Sequence, residues 1–255
     1  MIYPIWNSNE KLRESLSHLK LPIGSLIYWC CNAQLREEPS QPDSLPRGEH
    51  DVLTTCQKCL LFYSTFIALD LTKSITLEHI TKEQNASHMW NDAHTIHITA
   101  SSAKRVPVRV SLKTFLQEHL YPRFHGNAAT RYGKASELVA SQWLEGCGYS
   151  VSRRGTVVSA EEPWLSASPD GVLNTEELLN IKCPVLRKSF EFLEDLFSSK
   201  TSDLRMVEGA FELQPHGPYG YYMQVQLGVF CTGLTASKLL IWTPSQQVLM
   251  KLCQG

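Results

Sequence analysis

The sequence carries almost no net charge and no long apolar run, and each absence removes a class of protein. Its 24 Lys and Arg against 25 Asp and Glu leave a formal charge of -1. It is therefore not a globally basic nucleic-acid binder, and any contact with a polyanion has to come from a local cluster of Lys and Arg. Residues 1–16 have no apolar core behind basic residues, and the most apolar stretch, 59–71, is interrupted by Ser64, Thr65 and Asp70. Neither a signal peptide nor a membrane span fits that pattern. With no secretory signal, the eight cysteines read as reduced thiols or metal ligands rather than as a disulfide framework. The expectation is an intracellular protein with no membrane association, nucleus and cytoplasm being equally compatible.

What is present suits a packed core. The 255 residues, 43% hydrophobic, are enough for one large domain or two small ones. The segment 37–51 (EEPSQPDSLPRGEHD) is rich in Pro, Ser and charge, which marks a loop or linker. Helices are expected over 77–92, 112–120, 128–145, 188–197 and 219–232, with a Thr-Ala-Ser turn at 99–101. In the third of these, Ala135, Leu138, Val139 and Trp143 recur at helical spacing. Short strands bounded by Gly, Pro, Asn or acidic residues are expected over 149–153, 156–158, 171–173 and 178–183 as a meander, then over 238–243 and 247–252. The order α, β-meander, α, β predicts an α/β fold built as an α+β mixed sheet flanked by helices. Its central connections are too short for the crossovers of a doubly wound parallel sheet.

The chemistry concentrates in Ser168-Pro169-Asp170-Gly171 and in Asn180-Ile181-Lys182-Cys183-Pro184, ten positions after the Asp. On a strand, Leu178, Asn180 and Lys182 share one face while Leu179 and Ile181 take the other, so Asn180 and Lys182 can converge on Asp170. A hard divalent cation takes oxygen ligands and can activate a bound water, and a neighbouring lysine can stabilise charge developing on a phosphate. Phosphodiester cleavage is the chemistry such a set serves. Read one at a time, the same residues have ordinary roles: Ser-Pro-Asp-Gly is a turn sequence, Lys182 could snorkel from a sheet edge, and Glu137 could sit on a solvated helix face.

Tyr132-Gly133-x3-Glu137, Ser168-Pro169-Asp170-Gly171, Leu179-x-Ile181-Lys182-Cys183-Pro184 and Tyr221-x2-Gln224-Val225-Gln226 together resemble the YqaJ viral-recombinase, or lambda-exonuclease-like, family of PD-(D/E)xK nucleases. The likeness runs from about residue 77 to the C-terminus. It implies a restriction-endonuclease-like core over 77–255 behind an N-terminal region, 1–76, of no assigned role. It makes Asp170 the central metal ligand, Glu137 a second acidic ligand, Ile181 a ligand through its backbone carbonyl and Lys182 the catalytic lysine. Tyr221 and Gln224 would line the same cleft. Thr99, Ala100 and Ser101 resemble the turn whose serine helps to hold a terminal 5′-phosphate. The implied cofactor is Mg²⁺ or Mn²⁺, the partner double-stranded DNA ends, the activity 5′-to-3′ DNA exonuclease action in recombination or repair, and the assembly a ring-shaped homotrimer.

Two positions depart from the pattern. Asn180 stands where the family places the acidic residue of its E-x-K motif, leaving one neutral oxygen in place of a carboxylate. Glu177 does not replace it, being on the opposite strand face. His94 stands where an arginine meets the 5′-phosphate; His94 and His97 could bind phosphate when protonated, or metal, or neither. The chain also stops soon after its last expected strand, where family members usually add a helix, so a shortened copy is expected. Basic residues at Lys104, Arg105, Arg109, Arg123, Arg131, Arg153 and Arg154 could border the cleft and neutralise phosphates. Cys30, Cys31, Cys56 and Cys59 read as buried thiols or as a four-thiolate Zn²⁺ site. Three activities stay open: exonuclease, catalytically inactive DNA-binding protein with a retained cleft, and restriction-type endonuclease.

Overall fold

The computed structural model describes residues 3–5, 57–106, 112–122, 126–186, 192–198 and 202–254. The loop expected at 37–51, Arg109, Arg123, Cys30, Cys31 and Cys56, with the side chain of Cys59, lie outside the described residues.

The first helical layer comprises α1 (Gln57–Phe62), a π-helical turn (Tyr63–Ile67), α2 (Leu71–Ile80), α3 (His88–Ile96) and α4 (Leu112–Leu120). Asp70 starts α2 by accepting the Lys73 amide at 2.8 Å, a carboxylate cap on an orphan donor. The single helix expected over 77–92 is in fact two. The Thr81 hydroxyl bonds back to the Leu77 carbonyl and receives the Thr156 amide at 2.8 Å. A few residues on, Gln84 takes φ 47 and a 3-10 turn, Gln84–Ala86, separates the helices. A contact distant in sequence thus overrides the local periodicity.

The long helix α5 (Ala128–Gly146) opens with a capping box in which Asn127 and Thr130 satisfy each other's backbone amides, as the local chemistry favours. Its buried residues are Ser136, Ala140 and Leu144. Leu138 and Val139 from the expected apolar stripe are about half exposed. Small side chains at 136 and 140 let the helix lie close to the sheet, which the hydrophobic count alone does not register.

Six strands form a mixed sheet in the order β1-β11-β10-β7-β6-β3. These are β1 (Tyr3–Ile5), β3 (Val151–Ser152), β6 (Gly171–Leu173), β7 (Glu177–Lys182), β10 (Ala236–Trp242) and β11 (Gln247–Gln254). β10 runs parallel to β7 and β1 parallel to β11, while the other pairs are antiparallel. The expected meander is broken. β4 (Val157–Val158) leaves it to pair with β5 (Leu165–Ala167), which also pairs with β2 (Ile98–Thr99), in a separate three-stranded sheet. β5 is buried at every position and only three residues long, too short for periodicity to mark it as a strand. A hairpin of β8 (Leu204–Val207) and β9 (Ala210–Leu213) turns through Glu208 and Gly209, both at positive φ, the geometry of a tight two-residue hairpin.

Between β7 and its parallel neighbour β10 lie α6 (Leu193–Ser198), the hairpin and α7 (Tyr221–Thr232), a crossover of the kind parallel pairing needs. α7 begins two residues later than expected because Gly220 takes the left-handed conformation, φ 74, at its start. One core packs Ala140 and Leu144 against Leu179, Ile181, Leu240 and Trp242. A second, on the other face of the sheet, packs Val225 and Val229 against Leu178, Leu239 and Ile241. A third joins Leu227 and Cys231 to Ile98, Leu165, Phe115 and Phe62. α7 is therefore apolar all round because it lies between two cores. Residue 77 falls inside α2, and Phe62 and Ile67 upstream of it belong to the third core. Among the described residues no single helix is long and apolar enough to cross a membrane.

The tightest backbone approach predicts a destabilising substitution. A Cβ at Gly155 would collide with the Glu78 carbonyl and the Thr81 hydroxyl, and a carbonyl in a helix cannot retreat. Gly155→Ala is expected to cost about 2–3 kcal/mol, measured as a lower urea midpoint at unchanged slope. A change within 0.5 kcal/mol would show that this contact relaxes freely.

Candidate functional site

Asp170 sits on the turn entering β6, and one backbone and one side-chain hydrogen bond lock that turn to β7. The Asp170 amide donates to Leu179 O at 3.1 Å, and the Asp170 carboxylate accepts the Ile181 amide at 2.6 Å. Upstream, the Ser168 hydroxyl is a junction. It receives Trp90 Nε1 at 3.0 Å and lies 3.0 Å from His94 Nε2 and 3.1 Å from Thr156 Oγ1. Gln84 Nε2 adds a bond to Pro169 O. Helix α3, the strand β4 region and the 3-10 turn thus converge on Ser168 and Pro169, the two residues before Asp170, and the carboxylate inherits their rigidity. Trp90, Thr156 and Gln84 carried no motif in the sequence; tertiary contact alone identifies them.

Glu137 reaches the same cleft from α5. A cavity of about 230 Å³ is lined by Glu137, Asp170 and Ile181, with Lys82, Lys134, Arg153 and Arg154 also on its wall. Burial, and then the charge of Asp170, push the Glu137 pKa up to about 7, against the opposing pull of Lys182, Lys134 and Arg153. Asp170 is also raised, by burial, against Lys182 and the Ile181 amide. Both carboxylates are thus held towards their neutral forms, mainly by burial. Part of the basic rim is already engaged: Arg153 pairs with Glu83 at 3.4 Å and Arg154 with Glu78.

Strand alternation puts Leu179 and Ile181 in the core against α5 and Leu178 in the core against α7. Lys182, on the latter side, holds its ammonium 5.5 Å from the centre of the Tyr221 ring. Asn180 is only 3% exposed, and its amide donates to Ser237 Oγ at 3.4 Å. Ser237 in turn donates to Leu178 O at 3.1 Å. The amide is thereby tied towards β10. Glu177, on the other face, pairs with Lys238 and Lys251 at 3.1 and 3.0 Å.

Two carboxylates and a backbone carbonyl suit an ion of the Mg²⁺ type, which commonly takes one or two carboxylates and keeps several waters. Their raised pKa values mark a place where a cation would restore charge balance. Among the described residues, no group of three His, Cys, Asp or Glu gathers to hold a metal.

The remaining candidates divide. Tyr221 is largely buried, its pKa raised by burial first and then by Asp203 and Tyr219, and Gln224 lies half-buried one turn on. Thr99 is buried, and Ser102, absent from the sequence reading, closes its turn by accepting the Thr99 amide at 2.9 Å. The exposed Ser101 hydroxyl lies 3.0 Å from Thr99 Oγ1. Arg131 is exposed on the first turn of α5. His94 departs from the reading of it as a protonated phosphate ligand. Its ring stacks on Trp90 at 3.6 Å, and burial, followed by His97 and His119, drives its pKa down to about 3. A neutral imidazole bonded to Ser168 offers no charge to a phosphate. His97 is buried, with Nδ1 2.9 Å from Ala93 O. Cys183, packed against the α5 core, has its thiol pushed up to about 12 by burial.

The family model for the YqaJ-like viral recombinase domain matches residues 89–235. Among solved structures, an alkaline exonuclease (LHK-Exo) from Laribacter hongkongensis aligns at a TM-score of 0.49 and 21% identity, over 66% of this chain and 83% of that one. LHK-Exo in complex with dAMP aligns at 0.47 and 20%, over 65% and 80%. No curated protein matches.

The charge balance predicts a pH effect in the presence of a chelator. The folded pKa of Glu137 is about 7 against an ordinary 4.5, so the fold favours the neutral acid. Stability from this group is fully present below about pH 4.5 and is lost as pH rises towards about 7. Glu137→Gln should match the parent at low pH and exceed it by about 1 kcal/mol at pH 8, allowing for solvent screening of a partly exposed group. Equal thermal midpoints at both pH values would remove the repulsion with Asp170 from the account.

Proposed function

The chain belongs to the YqaJ-like viral recombinase domain family, and on that premise we propose that it is a metal-dependent DNA exonuclease, cutting duplex ends from 5′ to 3′ in recombination or repair. The observation that carries this reading is the convergence of Glu137 and Asp170, both with raised pKa values, and Lys182, whose charge acts on both. Asp170, Glu137 and the Ile181 carbonyl would hold Mg²⁺ or Mn²⁺. When bound, such an ion lowers the pKa of a coordinated water and balances charge on the phosphate. Lys182 lies where an ammonium can orient the nucleophile or meet charge developing on a phosphate oxygen. Tyr221 supports the lysine from beneath, and its neighbour Gln224 would face the strand.

On the same reading, Thr99 and Ser101 supply hydroxyls for a terminal phosphate, and Arg131, Lys134 and Arg153 lend sequence-independent affinity that falls with salt. The nuclease domain is residues 77–255 with the helical segment that packs on it. An intracellular location and a ring-shaped trimer on duplex DNA belong to the proposal.

One observation favours a second reading, an inactive DNA-binding protein that keeps the cleft. Asn180 is neutral, buried and bonded to Ser237, so the site has two carboxylates where three would hold a divalent ion more tightly.

Digestion of end-labelled linear and closed circular DNA with Mg²⁺ or Mn²⁺ separates the readings. An exonuclease consumes only the linear form and an endonuclease both; an inactive binder consumes neither. Asp170→Ala and Lys182→Ala should each abolish any activity seen. Asn180→Glu should raise metal affinity and rate by about tenfold, the effect of roughly 1.4 kcal/mol from one added carboxylate. An inert but folded Asn180→Glu protein that still binds duplex would favour the second reading. Activity that survives Asp170→Ala would refute the site assignment.

A further inference from the structure

A second cavity, of about 800 Å³, opens on the other side of Lys182 from the carboxylates. Its walls include Tyr132, Tyr219, Tyr221, Phe197, Pro184 and Val185. Among the described residues lining it, Lys182 is the one charged side chain. The volume lies within the range of roughly 300–1,000 Å³ typical of small-molecule pockets. Neither the carboxylates nor the Ser101 turn touches it, so the function proposed above leaves it unused.

From its walls and position we infer that this cavity is a stacking pocket for unpaired nucleobases of the strand being cut, with Tyr219 as its platform. The inference rests on the nuclease reading, because Lys182 then fixes a phosphate at the cavity mouth. A nucleotide attached to that phosphate has its base within reach of the aromatic wall. Tyr219 is 68% exposed, so its ring is accessible to a ligand entering the cavity. Its ring lies 5.8 Å from that of Tyr221 at an interplanar angle of 25°, so one face is stacked while most of the side chain stays open among the described residues. Aromatic faces beside a cation are how single-stranded nucleic acid is held without regard to sequence.

An independent feature shows the platform to be built rather than incidental. Asp203, 1% exposed, accepts the Tyr219 amide on one carboxylate oxygen at 2.7 Å and the Tyr221 amide on the other at 2.6 Å. Gly217 lies so close beneath it that a Cβ there would strike the carboxylate. The buried charge clamps the backbone of both tyrosines at the start of α7. It is a positioning residue for the pair, and a ligand that stacks on a fixed platform loses less entropy on binding.

The test is the affinity of the full chain, in Ca²⁺ without Mg²⁺ or Mn²⁺, for a fluorescent duplex with a short unpaired 5′ overhang, against the same duplex with abasic sites in the overhang. Loss of the bases should weaken binding about tenfold, the scale of base-on-aromatic stacking. Tyr219→Ala should bind the two duplexes equally and at the weaker level, while Tyr219→Phe should keep the preference. Because Tyr219 is exposed, neither change threatens the core. If the parent and Tyr219→Ala bind duplex but neither distinguishes the overhangs, the pocket is not a base site although the DNA-binding reading stands. If neither duplex binds to the parent, both readings are overturned.

Discussion

The site hangs on a short hydrogen bond between the Asp170 carboxylate and the Ile181 amide, 2.6 Å long. A turn residue and a strand residue eleven positions apart are thereby fixed to one another, and everything catalytic in the proposed mechanism is measured from that pair. The return bond from the Asp170 amide to Leu179 closes the clamp. Because Ser168 is anchored by Trp90, His94 and Thr156, displacement of α3 or of the three-stranded sheet would be transmitted to the carboxylate through three rigid residues. Precision of this kind comes from polar groups that are all satisfied; a half-satisfied network would leave the carboxylate free to rotate.

The same anchoring explains why His94 is a poor phosphate ligand. An imidazole packed on an indole and bonded to the half-buried Ser168 hydroxyl is held neutral, since desolvation penalises its protonated form. Electrostatics at the carboxylates runs the other way. Burial raises the pKa values of Glu137 and Asp170, the charge of Asp170 adding to the effect at Glu137 and Lys182 opposing it at both. In the proposed mechanism the neutral Asn180 adds no further repulsion to that pair and leaves one carboxylate fewer for a divalent ion.

α7 carries the other half of the design. Lodged between two cores, it cannot rotate without disturbing both, and Gly228 lets it lie against Leu178 of β7, where a Cβ would press on the leucine. Its first turn, fixed by Asp203, presents Tyr221 to Lys182. Backbone, aromatic ring and ammonium are set by packing outside the cleft, so substitutions in the α7 cores should reach the site without touching a ligand.

Local chemistry determined much of this protein. Alternation along 177–182 separated Leu179 and Ile181 from Leu178, Asn180 and Lys182, because strand period is a backbone property. Helical spacing of Ala135, Leu138, Val139 and Trp143 marked α5, and Ser-Pro-Asp-Gly followed by Asn-Ile-Lys pointed to the turn and strand that Asp170 and Ile181 join. The mixed α/β class and the family were legible from the order of such segments. Tertiary structure alone decided the rest. Thr81 divided an apparently continuous helix because its hydroxyl serves Thr156, and β5 stayed hidden because three residues are too few to show a period. The protonation of His94 and Glu137 likewise depends on how much water and which charges surround them. Spacing in a sequence records what a residue can do with its near neighbours; burial and charge are set by residues that only folding brings close.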